Sequence, residues 1–369
     1  MEFKIQKTDL VNGLYLTQSV VEKKSTMPIL ASVLIEAKGK TVSFSATDLE
    51  VGVISHHQAE VMKPGKIVIQ ARGLYDIAKE LPEDLVTIKV LSNNWVNILC
   101  GKSKFKMVGA GHEDFPTMPA ADGPVYNMDA KDFLEMISKV SYAMSNDETR
   151  YTLNGVYLEE ATNGSVSGIR MVATDGHRLS MSERAVKGKF KLPKGVILPK
   201  KGVWELKKLL EDHEGDFSMQ IGEKTISANT KAASLVCRLV DGQFPPYKQV
   251  IPKDNKKVVI VDRQQFIQSL KRVSLMADDR AKGVKLQISS GNLDLMSSNP
   301  DLGEANEETA CVYKGEKFDV GFNARYFIDV LGVIQDEKVT MELKNDTTPC
   351  IIRSEFDKGF LSVVMPMRI

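Results

Sequence analysis

Three stretches far apart on the chain place residues at i, i+4 and i+7, the spacing that lines one face of a helix. Leu10, Leu14 and Thr17 hold those places in the first, Phe133, Ile137 and Val140 in the second, and Phe266, Leu270 and Val273 in the third. Asp129 and Asp262 precede the second and third, where a short carboxylate accepts from the free amides of a first turn. Alternating runs follow at 32–36 with 41–44, at 156–158 with 169–172, and at 283–286 with 293–296, and they predict antiparallel strands. The chain also opens on such a run, Met1 to Ile5.

A second helix is predicted in each copy. Arg72-Gly73-Leu74-Tyr75-Asp76-Ile77, Lys201-Gly202-Val203-Trp204-Glu205-Leu206 and Arg325-Tyr326-Phe327-Ile328-Asp329-Val330 share one pattern. It reads base, two variable places, a large apolar residue, an acid, an aliphatic. Strand-like runs precede each (67–69, 196–198, 320–322) and follow each (86–90, 217–221, 339–343), and Phe115-Pro116, Phe244-Pro245 and Met365-Pro366 close the copies. A period this long marks repeated domains rather than a solenoid. The expected fold is α+β, three similar domains, each two copies of a helix plus antiparallel strands. Boundaries at the proline-bearing linkers give domains 1–124, 125–252 and 253–369.

The stretch Val172-Ala173-Thr174-Asp175-Gly176-His177-Arg178-Leu179 has the look of an active site, with a carboxylate, an imidazole and a guanidinium close together. Yet Ser45-Ala46-Thr47-Asp48-Leu49-Glu50 and Ser297-Ser298-Asn299-Pro300-Asp301 follow similar strand pairs, and neither has the histidine. The turn belongs to the repeat, and its middle copy alone is specialised. General acid–base work would require an orienting partner and a nucleophile or water site for His177.

Composition narrows the reading. The net charge of +1 supplies no overall basic excess, so any nucleic-acid site must come from charges segregated in space. Each predicted helix carries a base in its first turn: Lys7, Arg72, Lys131, Lys201, Arg263 and Arg325. A cation there opposes the helix dipole at a cost of about 0.3–1 kcal/mol, so six repetitions suggest a compensating anion such as phosphate, with a plain solvated helix face as the alternative for about half of these residues taken singly. Lys24, Lys79, Lys200, Lys207, Lys208, Lys271 and Arg272 add to these helices or their loops, and phosphate contacts of this kind would not read sequence. Cys100, Cys237, Cys311 and Cys350 stand singly in apolar surroundings and are expected as buried thiols, with no metal and no cofactor. With no apolar run long enough for a bilayer and no secretory leader, a cytoplasmic protein is expected. The strand-like segment with Lys102, Lys104 and Phe105 is basic, whereas Leu275, Met276, Glu304, Glu307 and Glu308 form an apolar and acidic counterpart. The two suit an interface, or the lysines simply guard an exposed strand.

Asp175-Gly176-His177-Arg178-Leu179, Leu239-Val240-Asp241-Gly242-Gln243-Phe244-Pro245, Gly321-Phe322-Asn323 and the terminal Val363-Val364-Met365-Pro366-Met367-Arg368-Ile369 occur in the order found in one family. The chain resembles the bacterial DNA polymerase III beta subunit, the sliding clamps, over its whole length. The resemblance implies a non-catalytic processivity factor. Two chains would form a head-to-tail homodimer, a pseudo-sixfold ring around duplex DNA, bound independently of sequence. It implies as partners the polymerase III catalytic subunit, the clamp loader and other proteins with a clamp-binding motif. Their peptides would be captured by Leu153, Thr174, Gly176, His177, Arg178, Leu179, Pro245, Val250, Tyr326, Val363, Val364, Met365, Pro366, Met367 and Arg368. Arg178 and Arg368 would fix the extended ligand. DNA would meet Lys24, Arg72, Lys79, Tyr151, Lys200 and Lys201, and the basic and acidic segments above would form the dimer seam. Three positions depart from the family pattern: Gln249 where arginine is common, Thr152 where an aromatic is common, and Ile369 in place of a final leucine.

Overall fold

A computed structural model of the chain describes residues 1–21, 27–119, 121–163, 166–186, 188–278 and 282–369. The six predicted helices are present: α1 (Lys7–Gln18), α2 (Ala71–Glu80), α3 (Ala130–Val140), α4 (Lys200–Leu210), α5 (Arg263–Val273) and α6 (Ala324–Val333). Asp262 caps α5 as expected, accepting from the Gln265 amide at 2.8 Å. Two caps were not anticipated: the Gln70 side chain accepts from Gly73 in α2, and Asn323 accepts from Arg325 in α6. The i, i+4, i+7 residues are all buried, from Leu10 and Thr17 to Phe266 and Val273.

The second helical pattern packs differently from its reading. Leu74, Val203 and Phe327, in the place taken as variable, are almost fully buried, whereas Trp204 in the large-apolar place is 42% exposed. At 3.6 residues per turn a single position rotates a side chain by about 100°, so the residue next to the true core position looks outward.

Contacts divide the chain into two compact units. The first comprises Met1–Lys131 and Lys201–Leu239 and holds one thirteen-stranded sheet. From one edge the sheet runs Val125–Asp129, Asp216–Ile221, Thr225–Asn229, Ala233–Arg238, Val51–Gln58, Thr41–Thr47, Ser32–Lys38 and Gly65–Gln70. It continues through Ser103–Ala110, Trp95–Cys100, Leu85–Val90 and Glu2–Gln6 to Glu60–Lys63. α1 and α2 cover a core of Phe3, Leu10, Leu14, Phe44, Leu74 and Ile88.

The second unit comprises Asp132–Lys200 and Val240–Ile369, with a twelve-stranded sheet. Its order is Val196–Pro199, Gly155–Asn163, Val166–Thr174, Arg178–Ala185, Phe360–Val364, Cys350–Arg353 and Lys338–Leu343, then Lys257–Asp262, Gly303–Val312, Asn292–Asn299, Gly283–Ser289 and Phe318–Asn323. α5 and α6 pack through Phe266, Leu270, Phe327 and Val330 onto Val284, Leu295 and Met341. All ladders in both sheets are antiparallel, and each predicted strand coincides with an observed one except at Met1 and Lys102, which lie just outside theirs. All four cysteines are buried and unpaired. Among the described residues no helix is long and apolar enough to cross a membrane.

Candidate functional site

The turn between strands Val166–Thr174 and Arg178–Ala185 is built by its own side chains. The Thr174 hydroxyl donates to the Arg178 carbonyl at 2.6 Å and accepts from the Gly176 amide at 3.1 Å. Asp175 Oδ1 accepts from the amides of His177 and Arg178 at 2.9 and 3.0 Å. Short polar side chains stabilise turns by such local bonds. The first copy does the same. Thr47 Oγ1 bonds the Val51 carbonyl at 3.0 Å, and Asp48 Oδ1 accepts from Glu50 and Val51 at 2.9 and 2.6 Å. Leu49 even adopts the positive φ, +78°, that Gly176 has at +91°.

The middle copy differs in what it gathers. Arg178 donates from Nε to Asp175 Oδ2 at 3.1 Å, from Nη1 to Asp329 Oδ2 at 2.6 Å and from Nη2 to the Tyr142 carbonyl at 2.7 Å. Its guanidinium lies 4.7 Å from the Tyr326 ring centre and 5.3 Å from that of Tyr142. Exposed His177 runs nearly parallel to Tyr326, with centroids 6.4 Å apart and planes at 16°. Burial, with Asp175 nearby, raises the Tyr326 hydroxyl above its ordinary pKa. Arg150 reaches across to the Asp175 carbonyl at 3.0 Å and stands 3.2 Å from where a Cβ on Gly176 would lie.

The C-terminal segment completes the site. Val364 lies opposite Arg178 and Val363 opposite Leu179. The Met365 amide donates to the His177 carbonyl at 2.9 Å, and that of Met367 to Gly321 at 2.8 Å. Gly321 makes this possible, since a Cβ there would fall 2.5 Å from the Met367 oxygen and 2.7 Å from Ile369 Cδ1. Leu153 joins through Arg150, whose carbonyl accepts its amide at 2.8 Å. Pro245 and Val250 are exposed on either side of buried Tyr247, which packs with Leu179, Val363 and Leu361.

Ten of the fifteen expected peptide contacts are accessible: Leu153, Gly176, His177, Pro245, Val250, Tyr326, Met365, Pro366, Met367 and Arg368. Thr174, Arg178, Leu179, Val363 and Val364 are buried and form the bed beneath them. Arg178 is therefore not the ligand-fixing cation it was expected to be. Three protein acceptors and two aromatic faces hold it, whereas Arg368 is exposed. Asp175 is likewise occupied by two amides and a guanidinium, so the carboxylate–imidazole pair that catalysis would need is not formed. What remains accessible is methionine, proline, valine and aromatic surface, which adapts to apolar anchors of an extended peptide.

The first-turn cations divide into two groups. Lys7 pairs with Glu83 at 2.9 Å, Lys201 bonds Asp48 and the Val20 carbonyl, and Arg263 donates to the Asp336 and Leu331 carbonyls. Carboxylates and backbone carbonyls of the protein itself hold these three, in place of a phosphate. Arg72, Lys131 and Arg325 are exposed. Of the other expected DNA contacts, Lys79 and Tyr151 are exposed, Lys200 bonds the Asn146 carboxamide, and Lys24 lies outside the described residues.

The two seam segments lie on open edges. Strand Ser103–Ala110 pairs with Trp95–Cys100 on one side, but on the other only Gly109 and Ala110 are paired, with Gly65–Gln70. Gly303–Val312 likewise pairs with Asn292–Asn299 along its length and on the other side through Cys311 and Val312 alone. Lys102, Lys104, Phe105, Leu275, Glu304 and Glu308 are exposed and Met276 is half-buried. Glu307 is already held in its own chain by Arg272 at 2.9 Å and Ser269 at 2.6 Å, which keep its carboxyl below the usual range.

Residues 1–119, 127–246 and 248–368 match, in that order, the N-terminal, central and C-terminal domains of the DNA polymerase III beta subunit. The chain belongs to this family. Its sliding clamps are non-catalytic processivity factors of DNA replication. The beta sliding clamp of Pseudomonas putida is 36% identical over the full length of both chains. That of Caulobacter vibrioides is 34% identical with the same coverage. Among solved clamps, that of Bartonella birtlesii, bound to griselimycin, superposes over the whole of both chains with a TM-score of 0.96 at 34% identity. Sequence reasoning missed Arg150, Tyr142 and Asp329 as parts of this clamp's site. Asp329 had a signal, as the acid of the repeated helical pattern, but nothing local indicated Arg178 as its partner.

Proposed function

We propose that this clamp is a ring of two chains joined head to tail, each contributing domains 1–124, 125–252 and 253–369, that slides on duplex DNA in the cytoplasm. It tethers the polymerase III catalytic subunit, the clamp loader and other motif-bearing proteins through peptides laid on His177, Tyr326, Val250 and Met365–Met367. The observation that carries this reading is the tail bonded to the specialised turn, Met365 to His177 and Met367 to Gly321. Two open edges of opposite charge, at Ser103–Ala110 and Gly303–Val312, support a seam made by strand addition. Exposed Arg72, Lys79, Lys131, Tyr151 and Arg325 are the DNA contacts we favour, with Lys200 in second place because Asn146 holds it.

The test is topological. Loaded protein is expected to stay on closed circular duplex and to leave when the circle is cut, whereas its direct affinity for DNA is low and falls steeply as salt rises. Equal retention on linear and circular DNA with free ends would refute the ring.

A further inference from the structure

Strands Arg178–Ala185 and Phe360–Val364 run away from the trough, with Arg178 opposite Val364 at one end and Ser182 opposite Phe360 at the other. Four residues of strand separate the two ends by roughly 14 Å. At the far end residues 353–360 make a turn that is pinned from within. Asp336, 3% exposed, accepts from the Glu355 and Phe356 amides at 2.9 Å each and from the Ser354 hydroxyl at 2.6 Å. Asp357 accepts from Arg184 Nη1 and Nη2 at 2.9 and 2.8 Å, while its amide donates to Ser354 Oγ at 2.8 Å. On this fixed backbone Phe356 is 84% exposed, more than any other large apolar side chain among the described residues. An aromatic already held in place loses little freedom on docking, and anchors of this kind dominate interfaces.

A hollow of about 400 Å³ opens on the sheet, lined by Ile260, Val312 and Glu355, the residue that precedes Phe356 in the same turn. Val312 is 58% exposed. Lys338, Arg353 and Lys358 also line the hollow, three cations against the one carboxylate of Glu355, a difference of two. Glu342 answers Arg353 at 2.7 Å, whereas Lys338 and Lys358 have no ion-pair partner among the described residues. A phosphate backbone would satisfy the lysines but leave Ile260, Val312 and Phe356 uncovered. An acidic and aliphatic chain satisfies both.

We propose that this face is a second docking surface, for an acidic segment of a partner protein. Its aliphatic side chains fill the hollow over Ile260 and Val312, its carboxylates meet Lys338 and Lys358, and Phe356 inserts into the partner alongside.

The probe is a short fluorescein-labelled peptide of alternating glutamate and leucine, titrated onto the intact protein by anisotropy. A lysine–leucine peptide and a labelled DNA duplex serve as the comparisons. The acidic peptide should bind, and Phe356→Ala and the pair Lys338→Glu/Lys358→Glu should each weaken it by about tenfold or more. His177→Ala should leave this binding unchanged, because it alters only the trough. All four substituted positions are exposed, and an unaltered melting temperature confirms the fold. Absence of binding, equal binding by the variants, or loss only in His177→Ala would each overturn the proposal. So would duplex bound in place of the acidic peptide and released by the lysine substitutions. A lower mass of Phe356→Ala by light scattering would make the face a contact between copies and overturn it as well.

Discussion

Leu49 and Gly176 occupy the same place in two copies of one turn, and both have positive φ. The turn itself thus accepts an L side chain, at a cost of about 1–2 kcal/mol for the left-handed backbone. What distinguishes position 176 is Arg150, whose Nη1 stands 3.2 Å from the missing Cβ. Gly176→Ala should therefore lower stability by roughly 1 kcal/mol while weakening peptide binding more than that figure accounts for. Urea unfolding and anisotropy titration on the same preparation separate the two effects. Parallel losses would show that the methyl group acts through the fold alone. The kinship of the two turns was legible in Thr47-Asp48 and Thr174-Asp175. The function of Arg178 was not, because its acceptors at Tyr142 and Asp329 come from distant stretches and no local pattern names them. The same holds for Lys201 and Arg263, which read as free cations until Asp48 and the Asp336 carbonyl come into view.

The elements were legible to within a few residues because their apolar periods are regular, yet two of them owe their placement to single groups. The terminal segment is held by the Met365 and Met367 amides, and removing Met365–Ile369 should abolish binding of polymerase-derived peptides. Dimer mass, measured in parallel, should be unchanged, since the proposed seam uses other strands. The turn at 353–360 depends on Asp336 in the same way. Burial alone would raise this carboxyl, but the Ser354 hydroxyl and the Phe356 and Glu355 amides outweigh it and hold it below the ordinary range. A depressed carboxyl contributes stability that is complete above its unfolded value of about 4 and is lost as pH falls through the folded value. Asp357 and Glu135 are shifted the same way, each against its own burial, Asp357 by Arg184 and Lys139 and Glu135 by Lys139 and Arg184. Asp336→Asn should thus cost on the order of 1–3 kcal/mol at neutral pH. The gap from the parent should close below pH ~4, where the parent loses the same contribution. Denaturation midpoints across that range check the sign, and a gap that widens on acidification would contradict it.

For the whole molecule the decisive quantity is seam strength. A ring of two copies has two identical seams, so a loss at one is counted twice. Phe105 is 40% exposed on its open edge, and an aromatic at a packed interface centre is worth about 2 kcal/mol or more. Phe105→Ala should therefore raise the monomer fraction in sedimentation by an amount that reflects both seams, and an unchanged balance would move the seam elsewhere. Glu307 should matter less than Glu304 or Glu308, because Arg272 and Ser269 already occupy it.

Residues 233–237 pair with 51–55 in one unbroken ladder, and Arg178–Ser182 pair with Phe360–Val364 in another. Through these ladders the middle third of the sequence is grafted at two places onto strands from either end of the chain. An excised 125–252 fragment would carry two raw edges, each with its amides and carbonyls unpaired, and would pair with whatever strand it met. The copies visible in the sequence are thus repeats of one pattern woven into shared sheets rather than separable parts.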